Sequence, residues 1–363
     1  MSLASRRSFA EYLVFLSLIA VANYFGMAPV FASDADDEQR KVTELAEGVY
    51  LIEHPDLPGY VNGNGNTTVI IGTRVVFVVD SCGLPSMARG DIALIRKWTD
   101  KPVGFLLNTH FHNDHNQGNR TYLDAFPSLV IIAQAETKRL MDLIMPGQPR
   151  QREQTVAKWK RALETGMLDG KPITPEDKAQ ILAAMAAYET WNKEFVYQSP
   201  TLAFNDELQI NIGDRELQVK HPGRGNTAGD AAVYLPKEKI LIAGDLLVKP
   251  LPYPFDGYPS EWVKTLQALG RLDAQTIVPG HGPLLHDKTY LYLVVDLFNS
   301  AIEQVNAKIR EVGLFADFDT YKTAVDLTAF RTKFAGKDQD LLAAFDRIAA
   351  VLTKLVIREA TLQ

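Results

Sequence analysis

The chain has 363 residues, of which 46% are hydrophobic and 23% are charged, as in an ordinary globular protein with a sizeable core. Its formal net charge of −6 argues against nucleic-acid binding, which requires a basic surface, and no cluster of lysine and arginine offsets that charge. The single cysteine, Cys82, excludes an intrachain disulfide. We interpret it as a small buried residue in preference to a catalytic or metal-binding thiolate.

Residues 1–32 are predicted to be an export signal and not part of the fold. The basic stretch Ser5–Phe9 precedes an apolar run, Tyr12–Ala22, and Val30–Ala32 supplies tolerated residues at a cleavage point. The Ser-Arg-Arg-x-Phe order is also similar to a twin-arginine signal, although Ala10-Glu11 follows it. We therefore expect a periplasmic or secreted protein, with ordinary secretion and twin-arginine export both open. An uncleaved membrane anchor is the less favoured alternative, because an apolar run of eleven is short for a span.

Short apolar runs bounded by turn residues predict β-strands along the first 280 residues. These runs are Val49–Ile52, Thr67–Ile71, Val75–Val79, Val103–Leu107, Leu129–Ala133, Ala231–Leu235 and Ile240–Ala243. Between the first two lies a turn-rich loop, Gly59–Asn66, in which Tyr60 or Asn66 is a candidate for substrate contact. A plain surface turn is the more economical interpretation of that loop.

The segment Thr109–His115 places four potential metal ligands within six residues. His110, His112, Asp114 and His115 follow a predicted buried strand, and three of the seven histidines of the chain lie here. Ligands at the end of a buried strand are held on rigid backbone. Imidazole suits zinc and similar ions, and a carboxylate among imidazoles accommodates a second cation or a metal-bound water. A polar loop that is histidine-rich by chance is the alternative, and the downstream motifs disfavour it.

Residues 146–200 are predicted to be a helical insertion. Gln151–Leu168 has the pattern of a charged amphipathic helix, and a second helix begins at Thr174-Pro175 and continues to about Phe195. The pair is interpreted as a lid over a substrate pocket or as a surface decoration. The aromatic residues of this segment are therefore expected either to line a pocket or only to pack within the fold; they are Trp159, Tyr188 and Trp191.

The remainder of the chain contains a stiff loop and a helical tail. Val248–Pro259 is rich in proline and aromatic residues and is a candidate wall of an active site. Helices are predicted over Tyr290–Glu311 and from Asp338 to about Ala360. This tail, residues 286–363, is expected to pack on the core or to mediate a homodimer.

Four motifs in order resemble the signature of the metallo-β-lactamase fold superfamily. They are the His-x-His-x-Asp-His pattern of His110–His115, the strand ending at Asp80, the Gly244-Asp245 pair after a buried strand, and His281 in a Gly-rich turn. The resemblance runs from about Val49 to about Pro283. It implies an αββα sandwich of two mixed β-sheets covered by helices, with the catalytic domain at residues 45–285.

One motif departs from that family pattern. The family places its third histidine where this chain has Asn226, within Gly225–Asp230. An amide oxygen is a weaker ligand for zinc than imidazole. His221, five residues upstream, is a candidate substitute, although a hydrogen bond from it to backbone is slightly favoured.

The resemblance also implies the ligands and the chemistry. One metal would be held by His110 and His112 with Asn226 or His221. The second would be held by Asp114, His115 and His281, and Asp245 would bridge the two. One or two divalent ions are expected, zinc first, with iron or manganese as alternatives. Asp114 is the candidate catalytic residue, and Asp80 is the candidate for fixing the imidazoles from outside the ligand set.

Two functions remain open at this point. The first is a periplasmic hydrolase that uses a metal-bound hydroxide on a small ester, lactone or lactam. The second is a non-hydrolytic metal-binding or accessory protein of periplasmic metabolism, with a degenerate first metal site; Asn226 is its main support. Redox chemistry on a di-iron site is the least favoured, because no flavin-type partner domain follows the core.

Overall fold

The structure is a computed structural model that describes residues 40–55 and 64–362. The predicted export signal at residues 1–32 and Tyr60 lie outside the described residues. The chain divides into two compact units. The described part of the larger unit comprises residues 40–55, 64–146 and 195–362, and that of the smaller unit comprises residues 147–194.

The first sheet of the larger unit changes from antiparallel to parallel pairing along its width. Its strands are β1 (Lys41–Ala46), β2 (Val49–Glu53), β3 (Thr67–Ile71), β4 (Val76–Val79), β5 (Val103–Asn108), β6 (Val130–Gln134) and, later in the chain, β9 (Leu202–Phe204). Neighbours in the sheet follow that same order. Pairing is antiparallel from β1 to β4 and parallel from β4 to β9.

The second sheet of the larger unit is also mixed. Its strands are β10 (Glu207–Asn211), β11 (Glu216–Lys220), β12 (Ala232–Leu235), β13 (Ile240–Val248) and β14 (Thr276–His281). Pairing is antiparallel from β10 to β13, and β13 pairs with β14 in parallel.

Helices make up much of the rest of the larger unit. They are α1 (Pro85–Trp98), α2 (Asn119–Ala125), α3 (Ala135–Ile144), α6 (Pro259–Gly270), α7 (Thr289–Val312), α8 (Phe318–Lys322), α9 (Thr328–Ala335) and α10 (Gln339–Leu362). α4 and α5 belong to the smaller unit and are given below.

The core lies between the two sheets and beneath the C-terminal helices. One apolar cluster joins Phe77 and Leu107 of the first sheet to Val219 and Val278 of the second. A second cluster joins β12 and β13 to α6, α7 and α10, and in it Trp262 contacts Phe298 edge-on with ring centroids 5.0 Å apart. Burial of these faces is the main stabilising contribution. The predicted α/β fold with a C-terminal helical extension is confirmed.

Parallel pairing places several strand ends at one edge of the molecule. Because β4 and β5 run in parallel, Asp80 and the segment that begins at Thr109 leave the first sheet side by side, and the backbone N–H of Asp80 donates to the carbonyl of Leu107 (2.8 Å). In the second sheet β13 and β14 are parallel, and Val248 pairs with His281.

The smaller unit contains two helices, α4 (Gln148–Thr165) and α5 (Pro175–Glu194), and a short β7–β8 hairpin (Met167–Leu168 and Lys171–Pro172). The predicted start of α5 is confirmed: the backbone N–H of Asp177 donates to Oγ1 of Thr174 (3.0 Å), and that of Thr174 donates to Oδ2 of Asp177 (2.7 Å). The aromatic residues of this unit pack on one another, with Tyr188 between Trp159 and Trp191. The choice between lid and surface decoration stays a prediction.

The C-terminal region is more helical than the sequence indicated. The two long helices were predicted to within about two residues, whereas α8 and α9 were not predicted. Both are short, with five and eight residues, so neither presents a long apolar stripe that periodicity can detect. Within the described part of the chain, every helix is too short or too polar to cross a membrane.

A core substitution in α10 tests how firmly the tail belongs to the larger unit. Leu352 is fully buried, so Leu352→Ala should lower the free energy of unfolding by about 2–5 kcal/mol, because it removes buried methyl groups and leaves a cavity. Leu362, on the same helix and 76% exposed, is the matched control, and Leu362→Ala should change stability by less than about 0.5 kcal/mol. Denaturant unfolding of both variants measures this. Equal effects would mean that α10 is not part of the cooperative core.

Candidate metal centre

Six sequence-predicted ligands meet at the ends of β5, β13 and β14. His110, His112, Asp114 and His115 follow β5, Asp245 lies within β13, and His281 is the last residue of β14. His110, His115, Asp245 and His281 are buried, and the side chains of His112 and Asp114 retain 21% and 25% exposure. Residues up to 171 positions apart are therefore neighbours, as the parallel strand ends predict.

The six side chains form two groups that share one carboxylate. In the first, Nε2 of His110 lies 2.9 Å from Nδ1 of His112 and 3.5 Å from Oδ2 of Asp245. In the second, Nε2 of His115 lies 3.1 Å from Nε2 of His281, and Oδ2 of Asp114 lies 3.0 Å from that same His281 nitrogen. Oδ1 of Asp245 faces this second group, 3.3 Å from His115 Nε2. Asp245 thus lies between the groups, one oxygen toward each.

Outer carboxylates hold the imidazoles with their ligating nitrogens inward. Nδ1–H of His115 donates to Oδ2 of Asp80 (2.8 Å), and Nε2–H of His112 donates to Oδ2 of Asp256 (3.2 Å). Nδ1 of His110 lies 3.0 Å from the hydroxyl of Thr109, and that hydroxyl donates to Asp80 (2.8 Å). Each contact fixes one tautomer, as carboxylates commonly do for metal-bound histidines. The role predicted for Asp80 agrees with this geometry.

The charges in the centre are strongly coupled. Burial alone would raise the pKa of Asp245, but His115, His281 and His110 outweigh it and hold that pKa well below its usual range. For Asp114 too, burial alone would raise the pKa, but His115 and then His281 outweigh it and hold that pKa well below its usual value. For His281, burial lowers the pKa, but Asp245 and Asp114 raise it to about 9. Burial and the neighbouring His115 lower the pKa of His110, which favours the neutral imidazole that a metal requires.

The donor atoms fit divalent cations. Two imidazole nitrogens 3.1 Å apart, as in His115 and His281, face one another favourably only if a proton or a cation lies between them. Oδ1 of Asp245 and Oδ1 of Asn226 are buried and accept no hydrogen bond from the described residues. Buried oxygens of this kind are usually satisfied, and a cation is one group that satisfies them. The nitrogen and oxygen donors are those that zinc takes.

Asn226 and His221 occupy different surroundings. Asn226 is 1% exposed, and its Nδ2 donates to Oδ2 of Asp245 at 3.4 Å. Nδ1–H of His221 donates instead to the backbone carbonyl of Asp230 (2.7 Å), and among the described residues His221 belongs to none of the clusters of histidine, cysteine and carboxylate side chains that could hold a metal ion. The structure therefore brings Asn226, and not His221, to the centre.

Two glycines allow the backbone to approach the centre. A Cβ on Gly65 would lie 2.5 Å from Cε1 of His115, and one on Gly280 would lie 1.9 Å from Oδ1 of Asp245. Both contacts are far shorter than van der Waals separation. The backbone N–H of Gly65 also donates to the carbonyl of Asp114 (3.2 Å), so the segment that precedes β3 lies directly against the second group.

The interpretation of Asn66 as part of a plain surface turn is wrong. Asn66 is 6% exposed, and its Nδ2 donates to the carbonyls of Pro279 (2.9 Å) and Gly282 (3.0 Å), on both sides of His281. Its backbone N–H donates to the carbonyl of Gly280 (2.7 Å). These partners are more than 200 positions away, so the local turn pattern holds no sign of them.

Asp256 was not singled out from the sequence. The proline- and aromatic-rich character of Val248–Pro259 pointed to the loop but not to the residue that contacts His112. An acidic side chain in a stiff loop after Asp245 was the available signal.

A second buried group is present behind the centre. Nε2 of His54 lies 3.0 Å from both oxygens of Asp91, and Cys82 is close to both residues. The guanidinium of Arg40 pairs with the same carboxylate at 3.3 Å. Because that cation already compensates Asp91, we assign the group to the structural interior. Cys82 is fully buried, as expected for a small interior residue.

Comparison with known proteins identifies the family. A model of the metallo-β-lactamase superfamily matches residues 60–281, more than half of the chain. The chain belongs to this superfamily. The recognition based on its four motifs is thus confirmed.

Curated relatives differ in the reactions that their names describe. A linear primary-alkylsulfatase from Pseudomonas sp. (strain ATCC 19151) is 24% identical over 242 residues, 64% of this chain and 44% of that protein. A metallo-β-lactamase type 2 from Elizabethkingia meningoseptica is 28% identical over 102 residues, 26% of this chain and 41% of that protein. The chain spans less than half the length of these relatives.

Solved structures share the fold. A metallo-β-lactamase from Pontibacter korlensis superposes with a TM-score of 0.51 at 20% identity, covering 72% of this chain and 99% of that one. The DIM-1 metallo-β-lactamase gives a TM-score of 0.50 at 20% identity, covering 72% and 98%.

The Asn226 position is expected to make metal binding unequal. If the Asn226 amide takes the third ligand position, the metal beside His110 and His112 should bind more weakly than the other. Asn226→His should then raise the affinity of that weaker site, because imidazole is the stronger zinc donor. Zinc titration monitored by calorimetry measures both sites. Two equally tight sites in the unmodified protein would contradict the expected asymmetry.

Removal of the shared carboxylate should affect both groups at once. Asp245→Ala is expected to lower total metal content and to abolish hydrolysis, because Asp245 faces both groups. The fold should persist, since the strand around it is held by apolar packing. Metal analysis and circular dichroism of the purified variant test this. Near-normal activity would show that Gly244-Asp245 is only a strand end.

Proposed function

We propose that this protein is a metal-dependent hydrolase that cleaves a small ester, lactone or lactam. The observation that carries the proposal is the position of Asp245, one oxygen toward His110 and the other toward His115 and His281. A carboxylate so placed suits two cations that act together. The nitrogen and oxygen donors favour zinc, with iron or manganese as alternatives.

The proposed ligands divide as the two groups do. His110 and His112, with Asn226 as a weak third donor, would hold one ion. Asp114, His115 and His281 would hold the other, and Asp245 would contact both. A pair of divalent ions bound there would lower the pKa of a water toward 7 and polarise the bond to be cleaved.

We propose that Asp114 transfers a proton to the leaving group. Its side chain is 25% exposed, whereas that of Asp245 is 6% exposed, so Asp114 is the carboxylate of the centre that reaches a substrate. Oδ2 lies toward His115 and His281. A carboxylate has two oxygens, so one can serve the metal group while the other orients the nucleophile and passes a proton to the leaving group.

Residues that contact the histidine rings from outside the centre would keep the proposed ligands in their orientation. Asp80 fixes the ring of His115 and, through Thr109, the ring of His110. Asp256 fixes the ring of His112. Such partners pre-organise the donors, so that little rearrangement is needed during the reaction.

A sulfate ester is a second candidate substrate. The alignment with the linear primary-alkylsulfatase spans 64% of this chain, whereas the alignment with the metallo-β-lactamase of Elizabethkingia meningoseptica spans 26%. Because that alignment covers more of the chain, we propose that alkyl sulfates be tested together with esters, lactones and β-lactams.

The main support for the non-hydrolytic alternative is Asn226. A protein that only stores or carries a metal has little need of both Asp114 and Asp245, yet both point into the centre. We therefore favour the hydrolase. We also propose a periplasmic or secreted location, which rests on the sequence of residues 1–32, and a homodimer remains a proposal for the C-terminal helices.

Asp114→Asn separates the two functions. The substitution keeps the shape and an oxygen donor but removes the basic carboxylate, so turnover on the best panel substrate should fall by roughly 10²–10⁴-fold. The fold and at least one metal should be retained. Steady-state kinetics and metal analysis measure these effects.

A protein that shows no turnover on any panel substrate, and in which Asp114→Asn alters only metal affinity, would support the non-hydrolytic alternative. Wild-type turnover that survives the substitution undiminished would contradict both functions.

A further inference from the structure

The segment from Asp256 to Trp262 contacts three sides of the first group of ligands. Asp256 accepts from Nε2–H of His112 (3.2 Å). The backbone N–H of Tyr258 donates to the carbonyl of Gly225 (2.8 Å), the residue before Asn226. The indole N–H of Trp262 donates to the carbonyl of Leu246 (3.1 Å), the residue after Asp245. This segment, here called the bracket (residues 256–262), therefore contacts His112 and the chain neighbours of Asn226 and Asp245.

The bracket is itself held by two consecutive residues of the C-terminal helix α10. Arg358 donates a hydrogen bond to the carbonyl of Gly257, and its guanidinium lies 5.2 Å from the centroid of the Tyr258 ring. Glu359 accepts from the backbone N–H of Ser260 (3.0 Å) and from its hydroxyl (2.8 Å). Both residues are half-buried.

Glu359 provides a hydrogen-bond acceptor for the first turn of α6, which has no side-chain cap of its own. The residue before α6, Tyr258, provides no side-chain cap for that helix. The first N–H groups of a helix have no partner within it, and a carboxylate there also interacts favourably with the helix dipole. A residue 99 positions away therefore caps the helix that carries Trp262.

Arg358 closes one face of Tyr258. Arg224 also lies over this ring, 4.2 Å from its centroid, and is neutralised by Glu261. Cation–π contacts of this kind add to the hydrogen bond that Arg358 donates to Gly257. The aromatic ring and the neighbouring backbone are thus restrained directly beside Asp256.

We infer that Arg358 and Glu359 are positioning residues for the first metal position, through the bracket. Resting on the metal centre of the proposed function, the inference extends it to a region outside the part of the chain that matches the superfamily model, residues 60–281. Asn226 is a weak, neutral donor, so the first position depends more on accurate placement of His112 and Asp245 than a site with three imidazoles does. The C-terminal helix supplies that placement.

Cobalt(II) added to the metal-free full-length protein tests this without any substrate. Its visible absorption reports the coordination geometry, and the site whose affinity changes in Asn226→His marks the first position. Glu359→Ala and Arg358→Gln should each weaken cobalt binding at that position by roughly tenfold, the lower end of the loss typical for groups that support metal ligands. Each should also change its absorption spectrum, and the second position should be unaffected.

Glu359→Gln and Arg331→Gln are the matched variants. Glu359→Gln keeps an oxygen acceptor for Ser260 and should restore most of the affinity. Arg331 of α9 pairs with Asp346 of α10 (2.7 and 2.9 Å), so Arg331→Gln removes an ion pair of the same helix that does not contact the bracket. It should leave cobalt affinity and spectrum unchanged. Thermal melts of all variants separate loss of fold from loss of placement.

Unchanged cobalt affinity and spectrum in both Glu359→Ala and Arg358→Gln would overturn the inference, as would an equal loss in Arg331→Gln. Absence of turnover in the unmodified protein would count against the hydrolase proposal instead, because the cobalt comparison is made without substrate and still decides the role of the helix.

Discussion

Asp245 is the constraint on which the centre depends. It is buried, and its two oxygens face imidazoles of different origin, two from the turn after β5 and one from the end of β14. Removing a carboxylate from water is costly unless it is paired. The imidazoles pair it, and their own inward nitrogens then face one another closely. The cluster is therefore arranged for cations, and the surrounding backbone is shaped to permit it, since Gly280 and Gly65 leave no room for side chains.

Asp80 has a comparable role outside the ligand set. It follows β4, beside β5, and accepts from the backbone N–H of Thr109, from its hydroxyl and from His115. A buried carboxylate with three donors is satisfied, so it holds the turn that carries the histidine motif at little cost. Burial nevertheless raises its pKa, with His115 and Thr109 opposing that rise. Asp80 thus restrains His115 directly and His110 through Thr109.

The two ligand groups differ in how they are supported. The second group lies against the segment Asn64–Asn66, which contacts both Asp114 and the turn around His281. The first group, next to which we propose Asn226 as a weaker third donor, is contacted by the bracket, and residues of α10 contact the bracket in turn. Under the inference drawn above, α10 would support the first metal position in addition to the apolar surface that it buries with α6 and α7.

The sequence by itself determined the family, the buried strands that carry the site and the six residues that meet in the centre, because an apolar strand and the polar residues at its end are adjacent in the chain. It did not indicate β1, β9, β10 or β11, which are more exposed and lack a continuous apolar run. Local chemistry also located the start of α5, where Thr174 and Asp177 bond reciprocally. Only the tertiary structure decided the partners of Asn66, the position of Asn226 beside Asp245 and of His221 away from it, the contact of Asp256 with His112, and the contacts of Arg358 and Glu359 with the bracket. Each of these depends on residues brought together from distant parts of the chain, and hydrophobic periodicity along the sequence does not indicate such contacts.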